Sequence, residues 1–378
     1  MTLLAVGDIM MHQEQLDSAY DKGTGVYDFS NYFLNINPYL KGGYIVYANL
    51  ETPVAGSALK YSGYPKFNAP TELLAELKNN YFTHVSLANN HALDRGEKGL
   101  VNTIKNVEDA DLVGIGARVF TNAGTMTAPS LVSSSSSSFA STSQATALNP
   151  SNYQITEKNG LKIGFLAYTY DTNGMTLPKG KKGELSYIDK NQIAKDILDL
   201  KNQKVDAIVM ALHFGIEYKL EETASQRDLA QFACDNGADI ILGDHPHVLE
   251  PIVYLNATST GQNPIDRKCL VIYSLGNFIS SMPNLYTDLG GILKVDISKT
   301  ETFGVDGAVV SSSLSLNPDF LATWVKRGTN KDGSKYYTVL PLDADKIPDD
   351  IEVTSAELKR LEKYRDFVGT KIKAGMTL

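Results

Sequence analysis

A layered α/β fold with much of its sheet parallel is what this sequence predicts, on three observations. Short apolar runs of strand length recur up to about residue 245. Helical periodicities fill the intervals between them. Residues suited to chemistry cluster at the C-terminal ends of the runs. The runs are Leu3–Val6, Tyr44–Ala48, His84–Ala88, Lys162–Ala167, Ala207–Leu212 and Asp239–Leu242, which read as buried strands because both faces are apolar.

The helices announce themselves by spacing and by their ends. Pro70-Thr71-Glu72 opens a helix with Leu73, Leu74 and Leu77 on one face, and Glu97 opens one with Leu100, Ile104 and Val107. Asp189 leads into Ile193, Ile197 and Leu200. Glu221 leads into Leu229, Phe232 and Ala233, with Gly237 as the expected C-cap. Gly114-Ile115-Gly116 is expected as a turn, since the helix and third glycine of a dinucleotide fingerprint are missing.

Beyond residue 245 the texture becomes β-rich. Val248–Leu255 and Lys268–Ser274 flank a polar loop holding Gly261 and Pro264 and read as an antiparallel pair. Gly291–Ile297, Ala308–Leu316, Phe320–Lys326 and Lys335–Leu340 alternate like half-exposed strands, and Thr354–Lys373 closes with a charged amphipathic helix. The expected organisation is a main domain over 1–300 and a β extension with a closing helix over 301–378. Within the first, residues 133–150 begin with six serines, Ser133–Ser138, and read as a surface loop.

Composition narrows the function classes. Of 378 residues, 43% are apolar and 21% charged, which is globular composition. The 35 basic and 43 acidic residues give a net charge of −8, so the broad basic field of a nucleic-acid binder is absent. An anionic substrate would have to meet a locally positive site. No stretch approaches the roughly 20 apolar residues of a membrane span. Thr2-Leu3-Leu4-Ala5-Val6 runs straight into Gly7-Asp8 with no charged leader before it, which reads as a mature or trimmed chain. Cys234 and Cys269 are expected as two buried thiols, with a bond between them left open.

The informative pattern lies in the turns at the ends of the apolar runs. Gly7-Asp8-Ile9-Met10-Met11-His12 succeeds the first run, Asn49-Leu50-Glu51 the second, and Asn89-Asn90-His91-Ala92-Leu93-Asp94 the third. His213-Phe214-Gly215-Ile216-Glu217 and Gly243-Asp244-His245-Pro246-His247 succeed two later ones. Five of the six histidines fall in these turns; only His84 starts a strand. Carboxyl ends of parallel strands converge on one crevice, so these side chains can meet. Taken singly, Asp8 reads as a helix cap, His213 as a buried core imidazole, and Glu217 and Asp244 as surface or helix-start carboxylates. Together, imidazole, carboxylate and amide oxygens without thiolates suit a divalent cation. Their surplus over one ion's needs favours two ions bridged by a carboxylate or water.

The same segments, with Ala48-Asn49-Leu50-Glu51, Asp94-Arg95-Gly96, Tyr218, Val248 and Tyr273-Ser274-Leu275-Gly276-Asn277-Phe278, resemble the signatures of the CapA family of poly-γ-glutamate capsule biosynthesis proteins, related to calcineurin-like metallophosphoesterases. The resemblance implies a four-layer α/β/β/α sandwich, with metal ligands on loops at the sheet edge. It implies a cell-surface or extracellular role in making, exporting or anchoring polyglutamate, with other capsule-synthesis proteins as partners and membrane attachment only through an N-terminal anchor missing from this chain. Carried over residue by residue, it gives metal ligands Asp8, Glu51, Asn90, His213, His245 and His247 for two ions, of manganese, zinc or iron. His91 would protonate the leaving group, steered by Asp94, while Arg95 and Lys66 would clamp an anionic substrate. Two departures are visible: Met10 stands where the wider superfamily has an imidazole, with His12 as a displaced substitute, and Ala92 stands where an acid is usual. The implied activity is hydrolysis of a phosphoester or γ-amide; the alternative is a non-catalytic surface module that holds polyglutamate.

Overall fold

The computed structural model describes residues 1–119, 132–133, 152–179, 183–258, 267–306, 308–330, 333–343, 345, 347–348 and 351–376. Apart from Ser133, the serine-rich segment expected as a surface loop lies outside these residues, as do Gly261 and Pro264.

The principal strands in chain order are β1 (Thr2–Ile9), β2 (Ile45–Leu50), β3 (His84–Ser86), β4 (Val113–Ile115), β5 (Tyr153–Lys158), β6 (Leu161–Thr169) and β7 (Ala207–His213). They continue with β8 (Ile240–Asp244), β9 (Leu249–Asn256), β10 (Lys268–Leu275), β11 (Asn277–Ile279), β12 (Leu289–Phe303), β13 (Val309–Thr329) and β14 (Lys335–Pro341). The principal helices are α1 (Gln13–Ala19), α2 (Glu72–Asn79), α3 (Gly96–Asp109), α4 (Lys190–Asn202), α5 (Ala224–Asn236) and α6 (Ser355–Phe367).

Two mixed sheets face each other. The first has the order β14-β13-β12-β1-β2-β3-β4, with β11 also paired to β1; the second runs β9-β10-β8-β7-β6-β5 and ends on the two-residue strand Val132–Ser133. Within the first sheet β1 to β4 are parallel neighbours, and within the second β6, β7, β8 and β10 are. Each parallel set therefore presents its carboxyl ends along one edge.

Period-two alternation sorts each strand between layers. On β7, Ala207, Val209 and Ala211 join the core shared by both sheets, whereas Ile208, Met210 and Leu212 pack outward with Ile193, Ile197 and Leu200 of α4 and Leu229, Ala230 and Ala233 of α5. On the far side, α2 buries Leu73, Leu74 and Leu77, and α3 buries Leu100, Ile104 and Val107. The result is the four-layer α/β/β/α sandwich that the resemblance implies. Helix α5 starts at a Thr223–Gln226 capping box, two residues after Glu221, and ends at Gly237 with φ +130°.

Three expectations need correction. Ala308–Leu316 and Phe320–Lys326 are one continuous strand, β13, that passes through Pro318. Strand β14 pairs with β13 only over Thr323–Thr329, so Pro318 sits where β13 has β12 alone beside it, a position that tolerates proline. Gly114 and Ile115 lie in edge strand β4, and only Gly116, at φ +85°, turns the chain. Cys234 of α5 and Cys269 of β10 are not free thiols: they form a disulfide with Cα atoms 5.8 Å apart. They lie 35 residues apart in the chain, and the packing of that helix on that strand, which no local pattern encodes, brings them together.

Candidate metal centre

Strand ends deliver the site. Asp8 closes β1, Glu51 follows β2, Asn90 and His91 follow β3, His213 closes β7, and His245 and His247 follow β8. All are buried. The two histidines flanking Pro246 adopt left-handed backbone, φ +100° at His245 and +59° at His247. Residues with a Cβ disfavour that region, at a cost of about 1–3 kcal/mol each. The turn is held by tertiary contacts that aim the two imidazoles.

The ligand types converge. Donor atoms of Glu51, His245 and His247 lie within 4.8 Å of one another, and so do those of Asp8, Glu51 and His213. His247 Nδ1 is 3.0 Å from Asp8 Oδ2, and its Nε2 is 3.7 Å from Glu51 Oε1. His213 Nε2 is 3.0 Å from Asn90 Oδ1 and 3.8 Å from the same Glu51 oxygen. Asn49 binds the cluster together: its amide donates to Asp8 Oδ1 at 2.8 Å and to Glu51 Oε2 at 3.1 Å.

The electrostatics suit a cation. Burial, and then the charge of Asp8, hold the Glu51 and Asp244 carboxyls well above the usual range. Burial pushes His213 well below the ordinary imidazole value and His245 down to about 3, with neighbouring imidazoles adding to both. The histidines thus present lone pairs beside carboxylates that repel one another. Glu51 Oε1, Asp244 Oδ1 and His245 Nδ1 are buried with no hydrogen-bond partner. Orphaned acceptors of this kind are rare unless something polar fills the space, and the donor set fits divalent metal.

His91 sits beside this cluster. Its Nδ1 is 2.8 Å from Asp94 Oδ2, and its ring meets Phe67 edge-on at 4.7 Å. That leaves Nε2 as the nitrogen open to a ligand. Arg95 turns its guanidinium onto its own neighbourhood, donating to Ser62 Oγ and to the Lys66 carbonyl. Lys66 itself is exposed. His12 caps α1 in a box with Gln15 and stands outside both groups of metal-capable donors. His84 is a core histidine, bonded to Thr83 and to Thr156 of the opposite sheet.

The sequence matches the family described as "Bacterial capsule synthesis protein PGA_cap" over residues 2–282. The chain belongs to that family. It is 31% identical over 289 residues to the capsule biosynthesis protein CapA of Bacillus anthracis, covering 74% of this chain and 59% of that one. It is 29% identical over 279 residues to the PGA biosynthesis protein CapA of Bacillus subtilis strain 168, covering 72% and 62%. This PGA_cap chain therefore spans about three fifths of the length of those relatives. Among solved structures, the calcineurin-like phosphoesterase YfkN from Bacillus subtilis is similar at TM-score 0.42 and 17% identity, covering 84% of this chain and 90% of that one.

Several residues of this PGA_cap site were given no role by sequence reasoning, although Asn49, Tyr218 and Asn277 stand in its signature segments. Asn277 Oδ1 lies 3.1 Å from His247 Nδ1, and Tyr170 and Tyr218 place rings 4.7 Å from His245 and 6.2 Å from His247. Asn49 carries a usable signal, since two residues along a strand share a face and Asn49 precedes Glu51 by two. Asp244, expected as a surface or helix-start carboxylate, is instead buried, with Oδ2 accepting from the Tyr47 hydroxyl at 3.0 Å.

Proposed function

We propose that this chain is a divalent-metal-dependent hydrolase of metallophosphoesterase type, acting at the cell surface in poly-γ-glutamate capsule biosynthesis on a phosphoester or γ-linked amide. The observation that carries the reading is Glu51 Oε1, buried, without a partner, and 3.7–3.8 Å from imidazoles on either side. A carboxylate so placed would serve both ions. Asn90, His213 and His245 would hold one ion and Asp8 and His247 the other, with manganese, zinc or iron suited to the ligand set. Such ions supply Lewis acidity toward an electrophilic oxygen and acidify a bound water.

The chain's own residues do the rest. Asn49 fixes the two carboxylates by donating to both. His91 donates a proton from Nε2 to the leaving group, and Asp94 holds the Nδ1 proton so that the ring keeps that orientation. Arg95 and Lys66 border the same loop and attract an anionic polymer or small molecule. Other capsule-synthesis proteins are the expected partners.

Metal analysis and a manganese-supplemented phosphodiester and γ-amide assay test this reading. Metal should co-purify, and Asp8→Ala and His247→Ala should each lower the metal-to-protein ratio. An unchanged ratio in both would overturn it. One observation favours a second reading, a non-catalytic module that holds polyglutamate: Met10, fully buried, offers no imidazole to the Asp8 and His247 side. A metal-free, inert chain that binds the polymer would establish that reading.

A further inference from the structure

We propose that Asp244 adds a third negative charge beside the cation site without ligating the ion, its carboxylate held in place by the Tyr47 hydroxyl. The proposal rests on the reading of the site as a metal centre, and its grounds are geometric. His213 and Asp244 are register partners at the ends of β7 and β8. Strand alternation puts both on the face of Ala211 and Leu242, which looks into the space between the sheets. From the opposite sheet, Tyr47 lies two residues before Asn49 and so on the same face as the amide that holds Asp8 and Glu51. Its hydroxyl donates to Asp244 Oδ2 at 3.0 Å and fixes the carboxylate plane.

The other oxygen, Oδ1, is buried with no partner, as is Glu51 Oε1 of the bridging residue. No lysine or arginine forms an ion pair with Asp244 among the described residues. A buried carboxylate without a cation is costly, so an ion taken up beside Asp244 would supply the compensating positive charge. Carboxylates around metal centres are characteristically held by such an outer hydrogen bond, which sets their orientation. Asp8, Glu51 and Asp244 against two divalent ions leave about one positive charge, which matches an anionic substrate.

Calorimetric titration with manganese(II) of the whole chain, of Asp244→Asn, of Tyr47→Phe and of His247→Ala tests the inference. Asp244→Asn keeps the volume and an oxygen for Tyr47 and removes only charge. It should bind the ion about 10–100-fold more weakly, as losses of outer-shell partners do, while its metal-free melting temperature stays near that of the parent. Tyr47→Phe should weaken binding in the same direction by less. Binding within twofold of the parent for Asp244→Asn, with His247→Ala defective, would overturn this inference and leave the metal centre standing. No uptake by the parent chain would overturn both.

Discussion

Asp94 Oδ2 lies 2.8 Å from His91 Nδ1 and also accepts the Phe67 amide at 2.7 Å. One oxygen therefore fixes both the histidine and the loop that carries Lys66. His91→Asn should lower turnover by about 10²–10⁴-fold, the usual worth of a general acid, with metal content unchanged. Asp94→Asn should lower it by less and shift the pH profile. Loss of metal in His91→Asn, measured by elemental analysis, would make His91 a ligand instead.

Gly7 shows why a glycine precedes Asp8. A Cβ there would stand 1.9 Å from the Gly276 carbonyl oxygen, while the Asp8 amide donates to that same oxygen at 2.9 Å. Gly7→Ala must push β1 away from the Gly276 turn and carry Asp8 with it. A loss of about 2 kcal/mol or more is expected in urea unfolding, together with weaker metal uptake.

Burial pushes the Glu250 carboxyl up to about 8, although Gln226 donates to it at 2.6 Å. Folded chain then keeps a proton that unfolded chain releases above the ordinary value of 4.5. Stability contributed by the neutral form is complete below that value and declines as pH rises toward 8. Glu250→Gln removes the titration, so its urea midpoint should rise relative to the parent between pH 5 and pH 8. Parallel midpoints across that range would show that Glu250 titrates normally.

The Cys234–Cys269 bond closes a separation of 35 residues and ties α5 to β10. Replacing both cysteines by alanine should cost about 2–5 kcal/mol in unfolding free energy while leaving the candidate metal centre in place. Equal unfolding midpoints for parent and variant, with and without reductant, would contradict this.

The legible part of this fold is the part encoded locally. The apolar runs at Ala207–Leu212 and Asp239–Leu242 gave β7 and β8 within a residue or two, because a buried strand has no polar face to disguise it. The turns that meet at the candidate metal centre were readable for the same reason: polar residues immediately after such runs stand out. Features that depend on a partner from another layer were hidden. Pro318 looks like a strand breaker until β14 is seen to stop short of it. Asp244 looks like a surface or helix-start carboxylate until Tyr47 arrives from the facing sheet. His12 sits in the right segment and yet serves a helix terminus, since the three residues to Gln15 make a capping box more readily than a ligand.

The left-handed backbone at His245 and His247 has a practical consequence. Glycine would relax both backbones, so a thermostability screen run without divalent cation sets no premium on keeping the two imidazoles. Laboratory evolution meant to preserve the candidate metal centre would therefore carry divalent cation in the selection medium.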